Sequence, residues 1–346
     1  MRVFFTIFLL LVFISFSFCE IVVISSLKSY SHIYEGNTLF FSDIFLEVYG
    51  GNKYGGGIVI KPFSEGYLSN TYIGVEKIEF FVNVLDLFRV AYWYGSKEYI
   101  GYLSSFQTRF YQINREFDFR GWYVIDGTGL DFSFSFLGNL LGLDLYFYRN
   151  SLGNDGIGSA GLKLTSVYRD VQVTLFSGVS EGVVRGGFEF RTLFRFLNAS
   201  AGIGVDNISF TNFNIQISNV YVIAEERFNF VSADGLWGFN QTITFLMKPL
   251  VYKSIRKPSN ISDVDLRGLL GLMLFKNLSF GGEVIISLYN VLSSITQIGF
   301  SSELGFFVGF EENNILIKLQ PMFLVINATT NQLMPFRFSI LGELRF

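Results

Sequence analysis

Residues 131–148 read Asp131-Phe132-Ser133-Phe134-Ser135-Phe136-Leu137-Gly138-Asn139-Leu140-Leu141-Gly142-Leu143-Asp144-Leu145-Tyr146-Phe147-Tyr148. Before the Gly-Asn pair, Phe132, Phe134 and Phe136 alternate with Asp131, Ser133 and Ser135. After it, Leu141, Leu143, Leu145 and Phe147 share one parity, and Gly142, Asp144, Tyr146 and Tyr148 share the other. Successive side chains of a strand point to opposite faces, so this spacing sorts apolar from polar groups; a helix would scatter them around its circumference. A two-residue turn at Gly138-Asn139 would join the two runs as a hairpin.

The alternation recurs on both sides of this hairpin. Val171, Val173 and Leu175 interleave with Gln172 and Thr174, and Glu116, Asp118 and Arg120 with Phe117, Phe119 and Gly121. Arg185, Glu189, Arg191 and Arg195 share one parity, while Phe188, Phe190, Phe194 and Phe196 share the other. The composition fits an all-β chain. Of 346 residues, 50% are apolar, 18% aromatic and 16% charged, with 42 Phe, 18 Tyr and only seven Ala. Poverty in the best helix former argues against a helical bundle, and wealth in aromatics excludes disorder. After residue 18 no uncharged apolar run is long enough to span a bilayer as a helix. A net charge of −3 leaves no basic footprint for nucleic acid. The single Cys excludes a disulfide framework and a thiolate metal site.

Such strands suit either a soluble sandwich or a membrane barrel, depending on whether the apolar face meets a core or lipid. Four features favour the barrel. The strands run to about 10–13 residues, longer than the soluble mode of about 5–6; ten residues tilted by about 40° cross an outer membrane. Tyr and Trp gather towards strand ends (Tyr92, Trp93, Tyr94; Trp122, Tyr123), as in an aromatic girdle. Charges keep to the polar face. Finally, residues 1–17 form an export signal: Arg2, an apolar core from Val3 to Ile14, and small residues at Ser15 and Ser17. Cleavage is expected after Ser17. The alternatives are an uncleaved anchor, disfavoured by the short core, and acylation at Cys19, disfavoured by the bulky Phe18 before it.

The chain ends Met334-Pro335-Phe336-Arg337-Phe338-Ser339-Ile340-Leu341-Gly342-Glu343-Leu344-Arg345-Phe346, with Phe336, Phe338, Ile340, Leu344 and Phe346 on one face and Arg337, Ser339, Glu343 and Arg345 on the other. This resembles the C-terminal signal of bacterial outer-membrane β-barrel proteins, which ends in an aromatic residue. Gly342 departs from it at one outward position. The resemblance implies a porin-like barrel in the bacterial outer membrane, with membrane lipid and the barrel assembly machinery as partners. No narrower family is indicated.

Tracing strands back from a periplasmic C-terminus puts tight turns near Glu311–Asn314, Lys276-Asn277, Asp234-Gly235, Leu197-Asn198, Arg169-Asp170, Gly138-Asn139 and Asn83 on one side. Longer loops at 327–331, 207–217 and 248–263, the last taken as the longest, fall on the other. The count from residue 39 is nineteen. Bacterial single-chain barrels have even numbers, so the expectation is a transmembrane antiparallel up-and-down β-barrel of about 18 strands, within 16–20, over residues 39–346. Either 21–32 is a further strand or a segment such as 54–63 does not span. Residues 18–38 are expected to be a short N-terminal segment. Pro321, inside an apparent strand, calls for a bulge or an early strand end.

Chemistry is hard to find. Gly178-Val179-Ser180-Glu181-Gly182 matches a nucleophile elbow, but that needs a strand-to-helix turn and a later His. The one His is His32, far upstream and read as an exposed N-terminal residue. No enzyme, metal or cofactor is expected. The expected function is passive diffusion of small hydrophilic solutes or ions through a polar lumen. The candidate lining residues are Glu116, Asp118, Arg120, Arg185, Glu189, Arg191, Arg195, Arg337, Glu343 and Arg345. The alternatives are a transporter of hydrophobic compounds, using inward Tyr146 and Tyr148, and a structural or adhesive surface barrel. Homo-oligomerisation is compatible with either.

Overall fold

The computed structural model describes residues 21–34, 37–50, 54–64, 71–84, 87–100, 123–138, 140–150, 158–180, 183–208, 217–247, 262–292, 298–312, 315–327 and 337–345. They form eighteen strands: β1 (Ile21–Tyr34), β2 (Asn37–Gly50), β3 (Tyr54–Ser64), β4 (Thr71–Val84), β5 (Phe88–Ile100), β6 (Tyr123–Phe136), β7 (Leu141–Asn150), β8 (Gly158–Tyr168) and β9 (Val171–Ser180). The second half comprises β10 (Val183–Leu193), β11 (Leu197–Ile208), β12 (Val220–Val231), β13 (Trp237–Met247), β14 (Val264–Leu274), β15 (Leu278–Tyr289), β16 (Gly299–Glu312), β17 (Ile315–Asn327) and β18 (Arg337–Arg345). Each strand pairs antiparallel with the next, and β18 pairs with β1, so the single sheet closes on itself. Closure leaves no edge with unpaired amides, the condition for a sheet to cross lipid. At the seam the register sets Lys28 between Asp43 of β2 and Glu343 of β18.

The barrel begins before residue 39. Segment 21–34, expected to lie outside it, is the closing strand, and 54–64 is a full member. His32 is therefore no loose terminal residue: it sits in register between Ser339 and Leu39. The sequence left this strand as one of two alternatives because residues 21–34 are rich in Ser and alternate only weakly; beyond it the described residues form seventeen strands rather than the nineteen counted. β5 and β6 pair directly with each other. Glu116, Asp118 and Arg120 fall in their connection, 101–122, outside the described residues; it is longer than 248–263.

Connections at one end are all tight: 51–53, 85–87, 137–140, 169–170, 194–196, 232–236, 275–277 and 313–314. The other end carries the longer ones, with 35–36 and 181–182 as exceptions. The β6–β7 turn is longer than the expected Gly138-Asn139 pair. Leu137 and Gly138 both take positive φ, 53° and 65°. The β12–β13 turn is held by Asp234, whose carboxylate accepts from Ser232 Oγ at 2.5 Å and from the Leu236 amide at 3.0 Å.

Pro321 does not end β17. The register runs through it, with Pro321 opposite Phe338 of β18. Towards β16, bridging lapses between Gly305↔Met322 and Val308↔Leu319. A proline has no amide to give there, so the ladder skips a step and then resumes.

Exposure follows parity. Outward residues are apolar and exposed, for example Leu130, Phe147, Leu175, Phe188, Ile203, Leu270, Phe306 and Ile317. At the turn end the belt finishes in aromatics: Phe136, Tyr168, Phe194, Phe196, Trp237, Phe275 and Phe310 are all exposed. Phe230 packs against Trp237 at 5.1 Å and Phe196 at 6.2 Å between ring centroids. A closed wall of strands 9–14 residues long, apolar outside and ringed with aromatics, is a membrane-spanning surface. Tyr92 and Tyr94 face outward as expected, but Trp93 cannot join them: its opposite parity puts it inside, fully buried. Trp122 lies outside the described residues.

Candidate functional site

The inward face is the place where polar chemistry collects. Cross-strand neighbours form rows that wind around it. One row runs Gln172–Arg191–Ser200–Glu225–Thr244–Arg267–Ile285–Glu303 from β9 to β16. Positive and negative groups alternate on every second strand, separated mainly by small polar residues.

On β4–β8 the charges form a network. Glu79 is nearly buried and takes three cations: Lys77 Nζ on Oε2 at 2.5 Å, and Arg89 Nη2 and Lys97 Nζ on Oε1 at 2.5 and 2.7 Å. Lys97 Nζ also reaches Asp131 Oδ2 at 2.9 Å, and Asp131 Oδ1 accepts from Ser133 Oγ at 3.2 Å. Lys97 lies where the β5–β6 register shifts between Ser96 and Glu98, and this bulge frees it to lean across both carboxylates. Lys163 pairs with Asp144 at 3.1 Å.

Across β10–β17 the theme is an acid paired with a near neighbour. Arg185 Nε donates to Asp206 Oδ1 at 2.5 Å, and Arg191 Nη2 meets Glu189 Oε1 at 2.5 Å. Arg227 Nε meets Glu225 Oε1 at 2.9 Å, while Thr244 Oγ1 donates to Glu225 Oε2 at 3.2 Å. Asp265 Oδ1 accepts from Ser262 and Ser287 at 2.6 and 2.7 Å. Gln320 Nε2 reaches over Gly305 to Glu283 Oε2 at 3.3 Å. Buried charges persist only when paired in this way.

Between the charges, inward aromatics lie flat against glycines. Gly129 stands in register between Trp93 and Tyr148, whose rings meet over it at 6.1 Å. Phe307 lies over Gly281 and Gly271, where added Cβ atoms would come within 2.6 and 3.2 Å of its Cζ. Lys318 Nζ sits 4.0 Å from the centre of the same ring, a cation–π contact.

The two ends of the lumen differ. From mid-barrel to the loop end the inward groups are dry: Trp93 and Ile125 have no exposure, and Tyr146, Tyr221 and Leu246 have 1% each. A wall bordering open water would stay accessible, so this level of the barrel is packed. Towards the turn end, the side chains of Arg89 and Arg191 are 37% and 35% exposed, and Asn229 and Asn240 are exposed. Inward side chains are therefore more accessible towards the turn end than at the levels above it.

Of the residues expected to line the lumen, Arg185, Glu189 and Arg191 face inward on β10. Arg195 does not: it sits exposed in the 194–196 turn, stacked on Phe196, because β10 stops at Leu193. Arg337, Glu343 and Arg345 occupy register positions opposite Met322, Leu316 and Ser26. In the terminal strand, Phe338 and Ile340 stand opposite Pro321 and Leu319, and Leu344 opposite Ile315; Phe336 and Phe346 lie outside the described residues. The Glu79–Lys97–Asp131 network, Asp206, Glu225–Arg227, Asp265–Arg267 and Glu283 were missed. Part of the signal was present as opposite charges two apart, as in Lys77-x-Glu79, Glu225-x-Arg227 and Asp265-x-Arg267. The Gly178–Gly182 motif spans the tight connection of two strands rather than a strand-to-helix turn. Among the described residues no cluster of metal-ligating side chains occurs.

No protein-family model matches the chain, and no curated protein sequence does. Solved structures do match in fold. OccK2 (OpdF) of Pseudomonas aeruginosa superposes with a TM-score of 0.59 at 9% identity, covering 95% of this chain and 98% of that one. OprD of the same organism gives 0.57 at 8% identity, covering 94% and 95%. Wzi of Escherichia coli, an outer-membrane carbohydrate-binding β-barrel involved in group 1 capsule assembly, gives 0.56 at 8%, covering 96% and 86%. The chain thus has the fold of a porin-like outer-membrane β-barrel over nearly its whole length.

Proposed function

We propose that this protein sits in the bacterial outer membrane, after removal of residues 1–17, and passes small hydrophilic solutes by passive diffusion. The observation that carries the reading is the alternating, paired-charge inner wall inside a closed barrel with an apolar exterior. Such a wall offers a solute both hydrogen-bond donors and acceptors without a net charge to trap it. OccK2 has also been crystallised with glucuronate, a small polar acid, in a barrel of the same fold. The inward aromatics do not favour a hydrophobic cargo, because Tyr146 and Tyr148 are buried in their own cluster and present no free face.

Solute flux tests this. Folded protein in vesicles should admit small sugars and sugar acids, read by osmotic swelling, and should exclude larger oligosaccharides. Vesicles that stay impermeable with folded, inserted protein would overturn the proposal.

A further inference from the structure

The outward belt breaks its own rule in one place. Among the residues whose side chains are described, Glu226 is the one acidic group facing outward away from a strand end. It lies mid-strand on β12, exposed, between Ala224 and Phe228 on the outward face. It stands five residues from Val231, the end of the strand. At about 3.3 Å per residue and a tilt of about 40°, the carboxyl lies about 13 Å above the turn end, well inside the apolar zone of about 25 Å. A carboxyl facing lipid is costly, and such groups mark a function.

Two features surround it. Gln241, an outward carboxamide on β13, is its diagonal neighbour, because Glu226 pairs with Ile243 and Phe228 with Gln241. Neither Glu226 nor Gln241 has a side-chain hydrogen bond or ion pair among the described residues. The second feature is a flat floor. Ala201 faces Ala224 across β11 and β12, and Ala199 faces Glu226; these are three of the seven alanines in the chain. In the register Phe190–Ala201–Ala224–Phe245, two small residues lie between two large ones, making a shallow groove in a wall otherwise built of Phe, Leu, Ile and Val.

We infer that this β11–β13 face is the contact with a second copy of the chain in the membrane. Small outward residues let two apolar walls approach closely, and polar groups in lipid seek a protein partner. The donor and acceptor needed to satisfy one another lie in the same patch. The geometry matches too. Rows climb from Asn83, at the turn end of β4, to Tyr221, at the loop end of β12, or about 3 Å per strand. Gln241 lies two residues nearer the turn than Ile243, which lowers it by about 5 Å and returns it to nearly the depth of Glu226. A two-fold axis along the membrane normal then sets each Glu226 against Gln241 of the second copy, twice, in a closed isologous contact. The inference rests on the outward belt facing lipid and is independent of what the lumen passes.

The test uses the full folded protein in vesicles, with copy number counted by single-molecule photobleaching. The wild type should form dimers. Glu226→Ile or Gln241→Ile should weaken dimerisation about tenfold, the two together should abolish it, and Glu226→Gln should retain it. Solute flux per chain should not change. In a Cys19→Ser background, Ile243→Cys, which lies beside the two-fold axis, should cross-link two copies and Ile317→Cys, four strands further on in β17, should not; this arm stands even where the double variant fails to fold. Single copies at every protein-to-lipid ratio, dimers unmoved by Glu226→Ile, or cross-linking from Ile317→Cys alone would overturn the inference. So would complexes seen only in native membranes with another protein. Loss of flux with dimers intact would count against the channel and leave this contact standing.

Discussion

Lys97→Met is the most informative single change in the wall. Lys97 Nζ stands 2.7 Å from Glu79 Oε1 and 2.9 Å from Asp131 Oδ2. At an effective dielectric of about 20, the second contact alone is a gross attraction of about 6 kcal/mol, largely offset by desolvation of both groups. The two carboxylates respond differently to its loss. Glu79 retains Lys77 and Arg89, each at 2.5 Å. Asp131, 3% exposed, retains the Ser133 hydroxyl at 3.2 Å. Orphaning one partner of a buried pair costs roughly 3–5 kcal/mol; with Ser133 still donating, we expect about 3 kcal/mol. Adding Asp131→Asn should restore about 2 kcal/mol, the signature of a direct coupling. The assay is guanidinium unfolding of the refolded protein in vesicles, followed by tryptophan fluorescence. A Lys97→Met protein within about 0.5 kcal/mol of wild type, or a double variant no more stable than the single, would refute the reasoning.

Other perturbations follow from the same geometry. Gly281→Ala drives a Cβ into the Leu270 carbonyl and the Phe307 ring, and should cost about 1–3 kcal/mol in the same unfolding assay. Leu137 is exposed and holds a φ of 53°, so Leu137→Asn should stabilise by roughly 0.5–1 kcal/mol by relieving left-handed strain. Asp234 is held below the ordinary carboxylate range by the Ser232 hydroxyl and the Leu236 amide. Its contribution is therefore full above the unfolded value of about 3.9 and is lost as pH falls through the depressed folded value. Asp234→Asn should flatten that acid limb of stability against pH. Arg191, a third exposed beside Glu189, faces the lumen near its turn end, so Arg191→Glu should lower the permeability ratio of chloride to potassium in reversal-potential measurements.

The fold was legible because membrane strands alternate without a soluble core to blur the parity. Within 131–148 the alternation puts Asp131, Tyr146 and Tyr148 inside, where they are buried, and Phe136 and Phe147 outside, where they are exposed. The same parity also decides Trp93, which reading by residue type grouped wrongly with its tyrosine neighbours. Strand number was harder. In 21–34 serines weaken the contrast between faces, and only the pairing with β18 and β2 reveals a strand. Arg195 kept the parity of β10 after the strand had ended, because parity carries no information about where a ladder stops. The lumen network was mostly invisible. Lys97 meets Asp131 through a bulge, and Gln320 meets Glu283 across a glycine on an intervening strand; neither relation has a fixed sequence spacing.

Single-channel conductance of the folded protein in a planar bilayer tests the central claim most directly. Steady, ohmic steps are expected, with the chloride-to-potassium ratio altered by Arg191→Glu. No steps from protein shown to be folded and inserted would contradict it.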